Sequence, residues 1–169
     1  MKESMTPTID PSLDLLLERV VDVPVELVWR AWTEPELLLK WFVPAPWSLA
    51  SCTLDLRPGG AFGTVIKSPE GEEFPGMGCF LEVVPNQRLA WTSAMDPGFR
   101  PKLNEVGSVD FPFTAVITME PMDGGTLYRA LVLHADQEGK EKHEQMGFHQ
   151  GWGSALDQMV AMIKELSAS

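Results

Sequence analysis

Three histidines, two cysteines and six tryptophans are the side chains of this 169-residue sequence whose types invite chemistry. His143 and His149 stand six residues apart, on opposite faces of a helix. A helical metal pair needs i, i+4 spacing, and no HExxH occurs. Cys52 and Cys79 lie far apart and form no CxxC pair. They read as small buried hydrophobes in a reducing compartment rather than as zinc ligands or a disulfide framework. No metal site is expected. GxSxG is absent, and neither cysteine has a histidine near it in sequence. Asp55-Leu56-Arg57-Pro58-Gly59-Gly60 lacks the Lys-Ser/Thr of a phosphate loop and does not open onto a helix. Gly76-Met77-Gly78 lacks the context of a dinucleotide site. These glycines read as turn geometry, with Asp55 and Arg57 as strand-end charges. No catalytic residue and no cofactor is assigned. Acid–base chemistry would have to draw on Glu82, His134, His149 and Arg129, and Arg129 is expected to face outward.

The chain as a whole bounds what can surround these residues. A length of 169 suits one domain with one core. The formal net charge of −11 argues against nucleic acid, which is bound by neutralising phosphates with Lys and Arg. It argues equally against an anionic membrane surface. MKESMTPTIDPSLD has no apolar h-region, so no secretory signal is expected. No run of 18 apolar residues exists, so neither is membrane insertion. The expected location is the cytoplasm.

Residues 1–11 read as a loose N-terminal arm and 12–167 as a single domain. LDLLLERVVDV reads as a strand, because Val20, Val21 and Val23 outweigh its Leu-rich start. Pro24 then suits a first helical position, and Val25, Val28, Trp29 and Trp32 recur at helical spacing. A second short helix is expected near Thr33. Thr33 and Glu36 have capping-box spacing, Leu37, Leu38 and Trp41 give an apolar face, and Pro44 and Pro46 end it.

From Trp47 to His134 the period changes to alternation, with turn signals at Pro58-Gly59-Gly60, Pro69-Glu70-Gly71, Pro85-Asn86, Asp96-Pro97-Gly98 and Asp123-Gly124-Gly125. This predicts an antiparallel meander. With Gly124-Gly125 as a two-residue loop, Ile117 pairs with Val132 and Ala115 with His134. One face then carries Phe111, Phe113, Ala115, Ile117, Tyr128, Ala130, Val132 and His134, the better candidate for the inner side. The other carries Thr114, Thr118, Arg129 and Leu127, Leu131 and Leu133, a surface that a partner could cover. The stretch 96–107 is a polar loop of a length that serves either as a lid or as plain connection. Helical period returns in His149, Trp152, Leu156, Met159, Val160, Ile163 and Leu166. One helix is expected from Lys140 or Glu141 to about Leu166, roughly 40 Å at 1.5 Å per residue. Gly147, Gly151 and Gly153 inside it each cost roughly 1 kcal/mol relative to Ala. They imply close approach to the sheet, a bend (placed near Gly151) or room for a ligand.

The ordered set ERVVDVPVELVWRAWTEPELLLKWFVP, DLRPGGAF, GMGCFLEVVPNQRLAWT, GGTLY and HQGWGSALDQM resembles the SRPBCC superfamily. More narrowly, it resembles the branch named for activators of the heat-shock protein 90 ATPase, over Leu13 to Leu166. The resemblance implies an α+β helix-grip fold: a curved antiparallel sheet wrapped around a long C-terminal helix, with two short helices after the first strand. It also implies a central cavity. Superfamily cavities hold lipids, sterols, polyketides, hormones and other apolar molecules, and a few members are cyclases. The eukaryotic co-chaperone of the branch carries a separate N-terminal domain that binds the chaperone. Little chain precedes Leu13, which counts against chaperone binding.

In such a fold Trp41, Trp91 and Trp152 lie on elements bordering the helix–sheet gap, whereas Trp29 and Trp32 read as core. Phe80, Phe113 and Tyr128 are the sheet-side candidates. His134 and His149 are placed to point inward, where a neutral imidazole both donates and accepts. The expected function is binding of a small apolar or aromatic molecule. A polyketide cyclase or hydrolase in the same cavity is the first alternative. A chaperone-interacting protein or a homodimer is the second.

Overall fold

A computed structural model describes residues 8–103 and 111–168. The chain runs β1 (Asp14–Val21), α1 (Val25–Thr33), α2 (Pro35–Trp41), then β2 (Ser48–Leu54), β3 (Ala61–Lys67), β4 (Glu73–Val84) and β5 (Arg88–Thr92). Two short strands, β6 (Met95–Asp96) and β7 (Arg100–Pro101), form a hairpin of their own. The long strands β8 (Phe113–Met122) and β9 (Gly125–His134) lead to α3 (Gln137–Gln145) and α4 (Phe148–Ala168). Seven strands make one antiparallel sheet in the order β1-β9-β8-β5-β4-β3-β2. The two short helices carry the chain from one edge strand, β1, to the other, β2. With α4 packed against β1, α1 and α2, this is the helix-grip fold.

The inner face follows from alternation. Ala115, Ile117, Met119, Tyr128, Ala130 and Val132 are buried in one cluster with Val28, Trp32, Leu38 and Trp41 of the short helices and Leu156, Met159 and Ile163 of α4. The outer face has a smaller cluster. Ala90, Val116 and Leu131 are buried there, with Leu16, Leu81 and Leu133 packed around them. Leu131 lies opposite both Leu16 and Val116, and Val116 opposite Ala90. These cross-strand neighbours shield one another, which explains apolar residues on an outward face.

Four local expectations change. The β8–β9 loop is Asp123-Gly124, with Gly124 at φ +81, not Gly124-Gly125. Ala115 therefore pairs with Val132 and Phe113 with His134, a slip of two residues that leaves every side chain on its expected face. Gly125 instead starts β9 where a Cβ would sit 1.9 Å from the Val21 carbonyl oxygen. The capping box is not formed. Pro35 takes the first helical position, Glu34 precedes it without a side-chain cap, and the Thr33 hydroxyl turns back to donate to the Trp29 carbonyl. The C-terminal helix is two helices. Asp136 caps α3 by accepting from Gly139 N–H at 2.8 Å, so α3 starts before Lys140. α3 ends at Gln145 with Met146 as its C-cap, and Gly147 follows at φ +91, a left-handed position that glycine occupies without strain. The bend thus falls at Gly147, not Gly151. Finally, the expected loop 96–107 is partly the β6–β7 hairpin. Its end, like residues 1–7 of the expected arm, lies outside the described residues.

Candidate functional site

A cavity of about 300 Å³ lies between the inner face of the sheet, the α1–α2 pair and the α3–α4 junction. The sheet supplies Phe62 from β3, Trp91 from β5, Phe113 from β8 and Tyr128 from β9. The short helices and the turn after them supply Trp32, Trp41 and Phe42. His143 of α3, with Phe148, Gly151 and Trp152 of α4, completes the wall. The rings brace one another edge to face. Trp32 meets Trp41 at 4.9 Å, Phe62 meets Trp91 at 4.7 Å and Trp91 meets Phe113 at 5.4 Å between centroids. Such contacts add to burial in holding each ring in one orientation. No Asp, Glu, Lys or Arg lines this cavity among the described residues.

Its few polar groups are specific. Trp41 Nε1–H donates to the Ala31 carbonyl at 2.9 Å, and Trp32 Nε1–H donates to the Tyr128 hydroxyl at 3.1 Å. Burial pushes the Tyr128 phenol well above its ordinary pKa, against the opposing effect of the Trp32 hydrogen bond. Trp91 is different. Its indole N–H is buried and has no partner among the described residues.

The two buried histidines form a chain. His134 Nδ1 lies 2.7 Å from the Leu13 carbonyl oxygen. A carbonyl only accepts, so His134 Nδ1 carries a proton and, in the neutral ring, Nε2 is an acceptor. That Nε2 lies 3.0 Å from His143 Nδ1, which must therefore donate. The other nitrogen of His143, Nε2, is left as an acceptor that bonds nothing among the described residues. Both rings stay neutral at neutral pH. Burial lowers His134, and burial with the neighbouring His134 lowers His143 to about 4. Phe111, Phe113 and Phe148 surround the His143 ring at 5.0 to 5.2 Å.

Residues 22–164 match the family described as "Activator of Hsp90 ATPase homolog 1-like protein". The chain belongs to this family, within the SRPBCC superfamily. A protein from Nitrosomonas europaea, known from a crystal structure, is 50% identical, with a TM-score of 0.88 over 95% of this chain and all of that one. A Rhodobacter sphaeroides protein shares the fold at 21% identity, with a TM-score of 0.78 over 91% of this chain and 94% of that one. The AHSA1-like protein of Aeromonas hydrophila does so at 19% identity, with a TM-score of 0.69 over 93% and 96%. No curated protein matches the chain.

In this AHSA1-like chain, five of the eight residues expected at the site line the cavity: Trp41, Trp91, Phe113, Tyr128 and Trp152. Phe80 is one ring further out, fully buried and stacked on Phe62 at 5.1 Å. His134 stands behind His143 rather than at the wall. His149 is exposed on α4, against the edge of Phe148. Phe148, four residues before Trp152 and seven before Ala155 in α4, shares their inward face and takes the place expected of His149. His143, Trp32 and Phe148 were missed as wall residues. The signal for His143 was Asp136, whose cap starts α3 early enough to give that helix its own inward face. Of the other acid–base nominees, Glu82 pairs with Arg88 at 3.3 Å and Arg129 pairs with Glu18. Neither lines the cavity.

The three helical glycines differ in the roles expected of them. Gly147 makes the bend. At Gly153 a Cβ would sit 3.0 Å from the Arg19 guanidinium, the movable end of a partly exposed side chain, so no close backbone approach requires this glycine. At Gly151 a Cβ would meet nothing within 4 Å, so this glycine leaves the cavity wall open.

Proposed function

We propose that this protein binds a small apolar or aromatic molecule between α4 and the sheet. The observation that carries this reading is the 300 Å³ cavity itself, walled by aromatic rings that could have closed on one another. A concave, mostly aromatic wall with few polar groups is the usual lining of a small-molecule site. Gly151 supports the reading, since a helix-destabilising residue stands where any side chain would enter the space. The volume lies at the small end of ligand pockets, which favours a ring system over a long-chain lipid. The wall groups favour holding a molecule over acid–base chemistry, because His143 and Tyr128 both remain neutral. Both thiols are free, which suits a reducing cytoplasm.

Native mass spectrometry and organic extraction of the purified protein would identify a retained molecule. Titration with naphthalene, read by tryptophan fluorescence, would measure binding directly. Saturable binding is expected in the wild type and its loss in Gly151→Phe, whose ring would fill the space. Equal naphthalene binding by the two proteins, or none by the wild type, would defeat the reading.

A further inference from the structure

The cavity has a chemical polarity that its aromatic walls conceal. We infer that it selects an uncharged ring molecule bearing a hydroxyl group, whose O–H donates to His143 Nε2. The inference rests on the cavity being a binding site and specifies what that site prefers.

The argument is one of unmet hydrogen bonds. The Leu13 carbonyl fixes the proton on His134 Nδ1, and His134 Nε2 fixes the proton on His143 Nδ1. His143 therefore presents a bare acceptor lone pair, and the residue is buried on the cavity wall. Each imidazole polarises the next, so this acceptor is stronger than that of an isolated neutral ring. A ligand that fills the cavity displaces water from this nitrogen, and an acceptor then left without a donor costs free energy. The Phe113 ring packs beside it, 5.1 Å from the His143 ring between centroids. A hydroxyl hydrogen meets the need of this acceptor. A plain hydrocarbon does not.

Charge narrows the class further. Among the described residues, a carboxylate would enter a wall with no Lys or Arg, and an amine cation one with no Asp or Glu. Either would shed its hydration without a full counter-charge. Protonating His143 to serve an anion would place a cation on a buried ring beside a second buried histidine. The preferred molecule is therefore a neutral alcohol, phenol or enol on a fused-ring scaffold.

Three probes of one shape test this: naphthalene, 2-naphthol and 2-naphthoate, each titrated into the full-length protein near pH 7.5. The inference expects 2-naphthol to bind about tenfold tighter than naphthalene, the worth of one good buried hydrogen bond, and 2-naphthoate to bind weakest. In His143→Phe, the ratio of 2-naphthol to naphthalene affinity should fall to about one, whatever the absolute affinities. Imidazole ¹⁵N shifts need no variant. They should show His143 protonated at Nδ1 and bare at Nε2, with the Nε2 resonance moving when 2-naphthol binds. Equal binding of naphthalene and 2-naphthol, a preference that survives His143→Phe, or 2-naphthoate as the tightest probe would each overturn the inference while leaving the cavity a binding site. Failure of all three probes would overturn the binding site and this inference together.

Discussion

Acid should unfold this protein earlier than its ion pairs alone require, through His143. The perturbation is a pH change from 7.5 to 4.5, compared between wild type and His143→Phe. His143 holds a pKa of about 4 in the fold against an ordinary 6.5, chiefly through burial and secondly through His134. A group whose folded pKa is depressed contributes its full stability above the unfolded value. It loses that contribution as pH falls toward the folded value, because the unfolded chain takes up the proton first. The window is therefore roughly pH 6.5 to 4. Over the stated range one such histidine removes about 2.5 kcal/mol, or roughly 5–10 °C of melting temperature for a domain of this size. Phe suits the site, because the His143 ring is enclosed by Phe111, Phe113, Phe148 and Trp152. The variant strands His134 Nε2 and is expected to start about 1–3 kcal/mol lower at neutral pH. Its further loss on acidification should be smaller than the wild type's by about 2.5 kcal/mol. The carboxylates held low by their partners, Asp22 by Lys164 and Glu34 by Arg30, lose stability on the same side but act alike in both proteins. Urea denaturation at half-unit pH steps measures the difference. Parallel pH profiles for the two proteins would show that His143 is not a buried neutral imidazole.

Four further substitutions test the packing. Gly151→Ala should raise stability by up to about 1 kcal/mol, since the helix gains propensity and the methyl meets nothing; Gly147→Ala should lower it by roughly 1–2 kcal/mol, since φ is +91 there. A calorimetric melt that ranks these two the other way would contradict the bend. Gly125→Ala should remove about 3 kcal/mol or more, because its methyl would lie 1.9 Å from backbone oxygen that cannot yield, and an unchanged melting temperature would refute that close approach. Thr126→Val should cost about 1–3 kcal/mol in denaturant titration, because the fully buried hydroxyl donates to the Val23 carbonyl at 2.7 Å.

The legible part of this molecule is the part governed by periodicity. Alternation placed Phe113, Tyr128 and Val132 on one face, and it did so despite a wrong hairpin register. A slip of two residues preserves facing, and only an odd slip would have exchanged the faces. Helical phase has no such tolerance. Each residue turns the chain by about 100°, so the neighbours Phe148 and His149 cannot share one face, and it is Phe148, four residues before Trp152 and seven before Ala155, that stands at the wall. Asp136 at an N-cap and a glycine just past a helix end are both readable in sequence. Taken together they divide the C-terminal segment in two. Three glycines treated as interruptions of one helix concealed that division.

The polarity of the cavity is harder to read, and for a different reason. Sequence can place His134 on an inner face, but the role of that ring depends on its contact with the carbonyl of Leu13, 121 residues away. That carbonyl belongs to the backbone just before β1, so no residue type announces it. It orients a proton on His134, which orients one on His143, and only then does an acceptor stand at the cavity wall. Substituting Leu13 by another apolar residue should leave the chain of protons intact, since the carbonyl remains. Displacing the strand, or removing His134, should not. His134→Phe would free the His143 ring to take either tautomer, so the preference for a hydroxylated probe should fall even though His143 itself is untouched. A preference that stayed at full strength in His134→Phe would show that His143 is oriented by something other than this relay.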